Sequence, residues 1–374
     1  MTRILVTSAA YILTDYLPSS EGISCYKIFQ NLEKFGYTFE AVSAYVRIKK
    51  PLKNVRFHQV GSFEIYPSAN LVEKYLSHGE FIIRSYLKSR SILKKKEIDI
   101  IHHMFPAVYN QSFSLIAILR KTEGKPLIFG PISTHIYPRP PDEKLLLRVT
   151  SKLHMRTIRN CNLLVTITPS IKKIYTGIVN EERVWVIPMG VDVELFKPLR
   201  RKEKSEGYEV LTVGHLYPLK GVRYLVRAMH LIAEKREDVK LRIIGEGSEK
   251  RSLMKLAVRL GIGDRVIFEG FVHHTKLPKY YQKCDIFCFP TLGEPFGKSM
   301  LEAMACGKPV IASNIGGPTQ ILKDEETGIL VPPAKPEILA SKILELLDDE
   351  KRRRRLGINL SLIHISEPTR LGMI

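Results

Sequence analysis

A chain of 374 residues is too long for one ordinary core and suits two domains of about 180 residues each. Its 44% hydrophobic and 26% charged residues are ordinary for a soluble globular protein, and no apolar run approaches the ~18 residues of a membrane-spanning helix, so none is expected. The net charge of +20, of which +12 falls before residue 199 and +8 after it, fits an anionic membrane surface, anionic substrates or nucleic acid; no nucleic-acid-binding motif accompanies it, so nucleic acid ranks last.

Thr2 to Ser8 reads as a first strand. The run Ile4 to Ala10 behind Arg3 also has the outline of a signal peptide, but polar Thr14, Asp15, Ser19 and Ser20 follow without a convincing cleavage site, so a buried strand is expected. A helix from about Ile23 to Phe35 ends at Gly36, Phe39 to Val46 is a second strand, and strand-like pieces follow at Phe57–Val60 and Phe63–Tyr66. Leu71 to Lys96 is mostly helical and very basic, with Arg84, Lys88, Arg90 and Lys94 to Lys96 beside Phe81, Ile82, Ile83, Tyr86 and Leu87. Two readings stand there: a helix packed on a sheet with a solvated basic face, or one lying on an anionic membrane with its apolar side inserted.

The apolar run before His102 and His103 is a buried strand, which puts both histidines at its carboxyl end, where open α/β sheets hold ligands. Lys125 to Pro131 is the next strand and a tight exit. From Leu145 to Asn160 the spacing predicts a helix with Arg148, Lys152, Arg156 and Arg159 on one face and apolar surface from Leu145, Val149, Leu153 and Met155. That basic face is either simply solvated or meets phosphorylated lipid. Cys161 to Thr168 is a strand, Pro169-Ser170 starts a helix, and the polar stretch Leu199 to Tyr208 is a linker. The five cysteines, Cys25, Cys161, Cys284, Cys288 and Cys306, are odd in number and form no C-x-x-C pair, so they are expected as small core residues in a reducing compartment.

The second half opens on the strand Glu209 to Val213, followed by a loop that carries Gly214, His215, Lys220 and Gly221. Val239 to Ile244 ends in Gly245-Glu-Gly247, which lacks the third glycine of a dinucleotide fingerprint. Val266 to Gly270 with Phe271-Val272 is a further strand and turn. Ile286 to Phe289 is a buried strand broken at Pro290, and a helix begins close to Gly297, where Met300, Leu301, Met304 and Ala305 recur at helical spacing until Gly307 and Pro309 stop it. The amides and positive dipole end of such a start suit a phosphate or another anion. Glu294 precedes the helix and Glu302, about 7 Å along it at ~1.5 Å per residue, lies inside. Carboxylates at close range would repel an anion, so both are expected to accept hydrogen bonds from hydroxyls further along the ligand, which describes a sugar joined to phosphates. Gly316-Gly317, a turn at Gly328–Pro332 and an amphipathic helix from Pro336 to Leu347 follow. From Ser361 the tail SLIHISEPTRLGMI has no helical pattern and resembles translated adapter DNA more than a natural terminus.

Glu294-Pro-Phe-Gly297, Glu302-Ala-Met and the continuation to Gly317 together resemble the E-x7-E signature of the family 4 retaining glycosyltransferases. The resemblance implies the GT-B fold, α/β with two Rossmann-like domains whose parallel sheets face a central cleft. It sets an acceptor-binding domain at 1–198, a linker at 199–208 and a nucleotide-sugar-binding domain at 209–360, expected to be truncated near its end; the tail at 361–374 is expected to be non-native on its own sequence. Asp99 to His102 resembles the family's D-x-x-H strand, which brings His102 and His103 near substrate. The first loop, usually Gly-rich, holds only Gly22, and Met189 stands where an I-P-N-G-V-D segment has Asn. Many relatives carry T-x-H after the strand at Lys125; Ile132 occupies that histidine position and His135 is a candidate substitute.

The loop at Gly214 resembles G-R-x4-K-G, whose cations bind the donor diphosphate; Lys220 matches, and His215, a weaker and pH-dependent anion ligand, replaces the arginine. By the same resemblance Phe271 and Val272 border the nucleobase, and Gly316-Gly317 lies near the donor with Gln320 in place of an acid. Lys220 and the amides near Gly297, Lys298 and Ser299 receive the leaving diphosphate beside Phe296; Glu302 holds ribose hydroxyls and Glu294 the donor sugar. Glu294, His102 and His103 are the catalytic candidates, and neither glutamate is expected as a covalent nucleophile. The expected activity is transfer of a sugar from a nucleotide diphosphate sugar to a hydroxyl of a saccharide or lipid-linked acceptor, in the cytoplasm or at the inner membrane face, in glycan or envelope polysaccharide synthesis, with no metal or other cofactor. The rivals are a degenerate GT-B binding protein and a GT-B epimerase or phosphorylase. A hydrolase fits less well, because it needs its two carboxylates across the substrate.

Overall fold

The computed structural model describes residues 2–15, 20–61, 71–104, 113–132, 144–199 and 207–357. They form two compact units, one ending at Ile187 and one starting at Pro188. His135, the strand expected at Phe63–Tyr66, most of the linker and the tail lie outside the described residues.

In the first unit the strands are β1 (Arg3–Ser8), β2 (Ile12–Thr14), β3 (Thr38–Ser43), β4 (Tyr45–Arg47), β5 (Val55–Gln59), β6 (Ile100–His103), β7 (Leu127–Ile132), β8 (Leu163–Thr166) and β9 (Val184–Val186). Seven make one parallel sheet in the order β5-β3-β1-β6-β7-β8-β9. Parallel strands need crossovers, which bury both faces of the sheet and account for runs such as Leu5-Val6. The winding reverses between β1 and β6.

One expected strand splits. Residues 39–46, expected as one strand, divide: β3 stops at Ser43, and Tyr45–Arg47 pairs instead with β2 in a separate two-stranded sheet. The Tyr45 amide donates to the Tyr11 carbonyl at 3.0 Å, and Tyr11 meets the Tyr45 and Phe81 rings edge-on at 5.7 Å. That aromatic cluster pulls the chain off the sheet, an interaction that alternation along the strand does not encode.

The helices of this unit are α1 (Ser20–Glu33), α2 (Leu71–Lys95), α3 (Leu115–Ile118), α4 (Lys144–Asn160) and α5 (Pro169–Thr176). α2 packs on β1 and β3 through Ser77, Phe81, Ser85, Ser89 and Ile92, a face made close-fitting by its three serines; the Ser85 hydroxyl donates to the Thr7 carbonyl. Its opposite face leaves Leu76, Ile83 and Leu87 exposed beside Arg84, Lys94 and Lys95. α4 presents Lys152, Arg156 and Arg159 to solvent as expected, but Val149 is exposed too, and the buried side is Thr150, His154, Thr157 and Ile158. Thr168 caps α5, its hydroxyl accepting from the Ile171 amide at 3.3 Å.

The second unit holds β10 (Tyr208–Val213), β11 (Val239–Ile244), β12 (Val266–Gly270), β13 (Ile286–Phe289), β14 (Val310–Ser313) and β15 (Ile329–Val331) in a parallel sheet ordered β12-β11-β10-β13-β14-β15. Its helices are α6 (Val222–Ala233), α7 (Lys250–Arg259), α8 (Pro278–Lys283), α9 (Lys298–Ala305), α10 (Pro318–Ile321) and α11 (Pro336–Asp348). The i, i+3, i+4 stripe of α6, Leu225, Val226, Met229 and Ile232, joins Leu339, Ile343, Leu346 and Leu347 of α11 in the main core. All five cysteines are buried free thiols. Among the described residues no helix is long and apolar enough to cross a membrane.

Burial holds His102 at a pKa of about 4 and His103 at about 3, against an ordinary value near 6.5, so the unfolded chain takes up protons that the folded chain refuses. Their contribution to stability is complete above about pH 6.5 and shrinks as pH falls towards 4, by up to about 1.4 kcal/mol per pH unit for each histidine. Urea unfolding followed by the single tryptophan, Trp185, is expected to show that loss, and His103→Gln is expected to flatten it.

Candidate active site

In the second sheet the winding reverses between β10 and β13, and open α/β sheets bind ligands outside the strand carboxyl ends at such a point. The two segments leaving these strands are residues 214–221 and 290–297. A small recess between them is lined by Gly214, His215, Lys220, Val222, Phe289 and Pro290. Gly221 has φ +64°, and a side chain there would overlap the Pro290 carbonyl oxygen, so glycine is what lets the two segments touch. The Leu292 amide donates to the Leu219 carbonyl at 2.8 Å, and Lys220 Nζ forms an ion pair with Glu294 Oε2.

A third segment braces the second. The Gly317 amide donates to the Glu294 carbonyl at 2.6 Å, and side chains at 316 or 317 would run into the Glu294 or Phe296 backbone. Phe296 is buried, and α9 opens directly after Gly297, whose left-handed φ of +102° turns the chain into the helix. The Met300 and Leu301 amides turn back to the Gly297 carbonyl at 3.1 and 3.3 Å, and the start of α9, with Lys298 and Ser299, sets the positive end of the helix dipole at this place.

His215 stacks on Tyr217 with centroids 5.6 Å apart. Desolvation among the loop atoms and then the Lys220 cation hold its pKa below the ordinary range, with Glu294 pulling the other way, so it is neutral at pH 7.

Glu302 is 4% exposed, and both carboxylate oxygens have protein donors: His274 Nε2–H to Oε1 at 2.9 Å and Tyr281 O–H to Oε2 at 2.9 Å. Burial, then the Glu302 charge, push the Tyr281 phenol well up, so it stays a donor. Phe271, half exposed, and Val272 stand in the turn after β12, just before the 3₁₀ turn His274–Lys276. The structure thus gathers Gly214, His215, Lys220, Glu294, Phe296 and Gly297 at one sheet switch point. Glu302 lies behind them as a buried, doubly donated group. His274 and Tyr281, absent from the sequence reading, are its partners; the signal for them is only a histidine just past a strand end and a tyrosine in a short helix.

In the first unit, His102 and His103 close β6, next to β1 at that sheet's own switch point. His102 Nε2–H donates to the Gly130 carbonyl at 2.9 Å. His103 Nδ1 is hydrogen-bonded to the Thr7 hydroxyl at 2.9 Å, and its Nε2 is buried without a protein partner. His103 lines a cavity with Thr7, Ser8, Ser85 and Ser114, of about 20 Å³ for the centre of a water molecule, room for one. Ile132, in the position where many relatives carry histidine, is buried and paired with Thr166.

The description "Glycosyltransferase Family 4" matches residues 36–195, and "Glycosyl transferases group 1" matches residues 196–360. An uncharacterized glycosyltransferase of Methanocaldococcus jannaschii is 36% identical over 52% of this chain and 53% of its own. A D-inositol 3-phosphate glycosyltransferase of Mycobacteroides abscessus is 37% identical over 44% and 39%. The chain spans about half or less of the length of these curated relatives. Among solved structures, sucrose-phosphate synthase of Thermosynechococcus elongatus superposes with a TM-score of 0.78 at 23% identity, covering 98% of this chain and 94% of that one. Anabaena HepE in complex with UDP-glucose does so at 0.68 and 19%, covering 97% and 94%. Those likenesses are of fold, and the fold is GT-B. With the two family descriptions together running from residue 36 to 360, over a parallel-sheet unit on each side, the chain belongs to glycosyltransferase family 4.

Proposed function

We propose that the protein transfers a sugar from a nucleotide diphosphate sugar to a hydroxyl acceptor, with retention at the anomeric carbon. The observation that carries this is the Lys220–Glu294 pair at the start of α9. An arriving diphosphate competes for Lys220 and is met by the helix start, while Glu294, losing its partner, accepts from a hydroxyl of the sugar. HepE was captured with UDP-glucose, which supports a donor of this class.

In the reaction the bond from the anomeric carbon to the diphosphate oxygen breaks. The acceptor oxygen bonds to the same face of that carbon, and the acceptor proton leaves with the diphosphate. Lys220 and the preorganised amides of α9 stabilise the charge that develops on the leaving group, which needs no metal. His102 and His103, neutral at working pH, serve at the acceptor side as hydrogen-bonding groups.

The acceptor reading follows charge. The first unit is the more basic half of the chain, and the named function of the M. abscessus relative concerns a phosphorylated polyol, so an anionic or lipid-linked acceptor at an anionic membrane face is proposed. α2 supports it with an exposed Leu76, Ile83 and Leu87 stripe flanked by Arg84, Lys94 and Lys95. His215, Ile132 and Gln320 depart from the family pattern, and they favour the second reading, a GT-B protein that binds donor without turning it over.

Turnover of a panel of nucleotide sugars, with and without membrane extract, separates the two. Acceptor-dependent nucleotide release, lowered ~10²–10³-fold by Lys220→Ala and also lost in Glu302→Ala, is the expected result; donor binding without turnover under any acceptor selects the binding protein. UDP, GDP or ADP affinity is expected to rise as pH is lowered into the acid range, where His215, its pKa held below the ordinary range, gains its proton beside the phosphates, and that rise is expected to vanish in His215→Gln. Vesicles of phosphatidylglycerol are expected to pellet the protein at low salt, and Ile83→Glu with Leu87→Glu to leave it in the supernatant.

A further inference from the structure

We propose that His274 is a positioning residue for the donor, fixing the Glu302 carboxylate so that it discriminates nucleotides by their ribose hydroxyls. The inference rests on the donor reading above and deepens it.

A buried carboxylate has about four acceptor positions, two per oxygen. In Glu302 one on each oxygen is taken, by His274 Nε2–H and by the Tyr281 hydroxyl, both at 2.9 Å. The two donors reach opposite oxygens, so the carboxylate plane cannot turn about its own axis without losing one. The remaining lone pairs are held in fixed directions, as recognition of neighbouring hydroxyls requires. Because a carboxylate only accepts, the hydrogen of His274 must sit on Nε2.

The two donors are themselves held. Phe196, 1% exposed, packs against both, edge-on to His274 at 5.0 Å and to Tyr281 at 5.8 Å, and Tyr281 also leans on Phe287 at 5.5 Å. Tyr281 is wholly buried and doubles as core. His274 is half-buried in a 3₁₀ turn outside the sheet, three residues after Phe271, with Phe196 as its ring neighbour. A hydrogen bond that merely satisfied a core glutamate would need no donor from this rim; the histidine joins the turn bordering the nucleobase side of the site to the helix that carries Glu302.

Calorimetric titration with UDP, GDP and ADP identifies the preferred nucleoside diphosphate, and its 2′-deoxy counterpart then measures discrimination in wild type, His274→Ala and His274→Gln. The expected result is weaker binding of the ribonucleotide by about ten-fold in His274→Ala with the deoxynucleotide little changed, so the preference collapses. His274→Gln, which can still donate from a side-chain amide, restores most of it, and thermal midpoints stay within a few degrees. Equal weakening of both nucleotides, or an unchanged preference in a folded His274→Ala, overturns the proposal while leaving the donor reading intact. Failure of wild type to bind any nucleoside diphosphate overturns the donor reading itself.

Discussion

The second unit depends on a close approach of main chains. Three loops, after β10, after β13 and after β14, converge at one point of the sheet, and their tightest approaches are backbone to backbone or pass through a glycine. Gly221 lets the Lys220 segment lie on Pro290, and Gly316-Gly317 lies under Glu294 and Phe296. Only because these approaches are made does an ammonium from one loop reach a carboxylate of the next, at the opening of α9. Charge placement here follows from steric permission, and the ion pair is its consequence.

Much of this was legible because glycine, proline and apolar period act locally. The second-half strands fall close to where alternation and turn residues put them, and α9 starts directly after Gly297, as the pattern of Met300, Leu301, Met304 and Ala305 requires. What was not legible depends on partners distant in sequence. Tyr45 leaves the first sheet because Tyr11 and Phe81 wait for it, and Val149 faces solvent because α4 buries threonines and a histidine. Glu302 reads from the sequence as an acid within reach of a ligand; its two donors, 28 and 21 positions earlier, arrive only through the tertiary fold.

The two histidines of β6 show the same division. Their place at a strand end is a local property of the run Ile98 to Ile101, and the strand appears there. Their chemistry is set by surroundings no run encodes: a carbonyl from β7 for His102, a β1 hydroxyl and a one-water cavity for His103. A pair of titratable rings becomes a pair of neutral ones. The departures from the family pattern at His215 and Ile132 likewise acquire meaning in place. One is an uncharged ring in the recess beside Lys220, the other a buried aliphatic group in sheet register.

The five cysteines, scattered over both units, share one condition. Each is buried, and where the thiol acidity is perturbed it moves away from the thiolate, to about 11 for Cys161 and about 12 for Cys306. Since the thiolate is the reactive species, the native fold is close to inert towards maleimides and mild oxidants. The surface therefore presents no native thiol: a single cysteine introduced beside the recess would carry a fluorophore or spin label alone, and the arrival of a nucleotide could be watched from one known position without first stripping the protein of its own thiols.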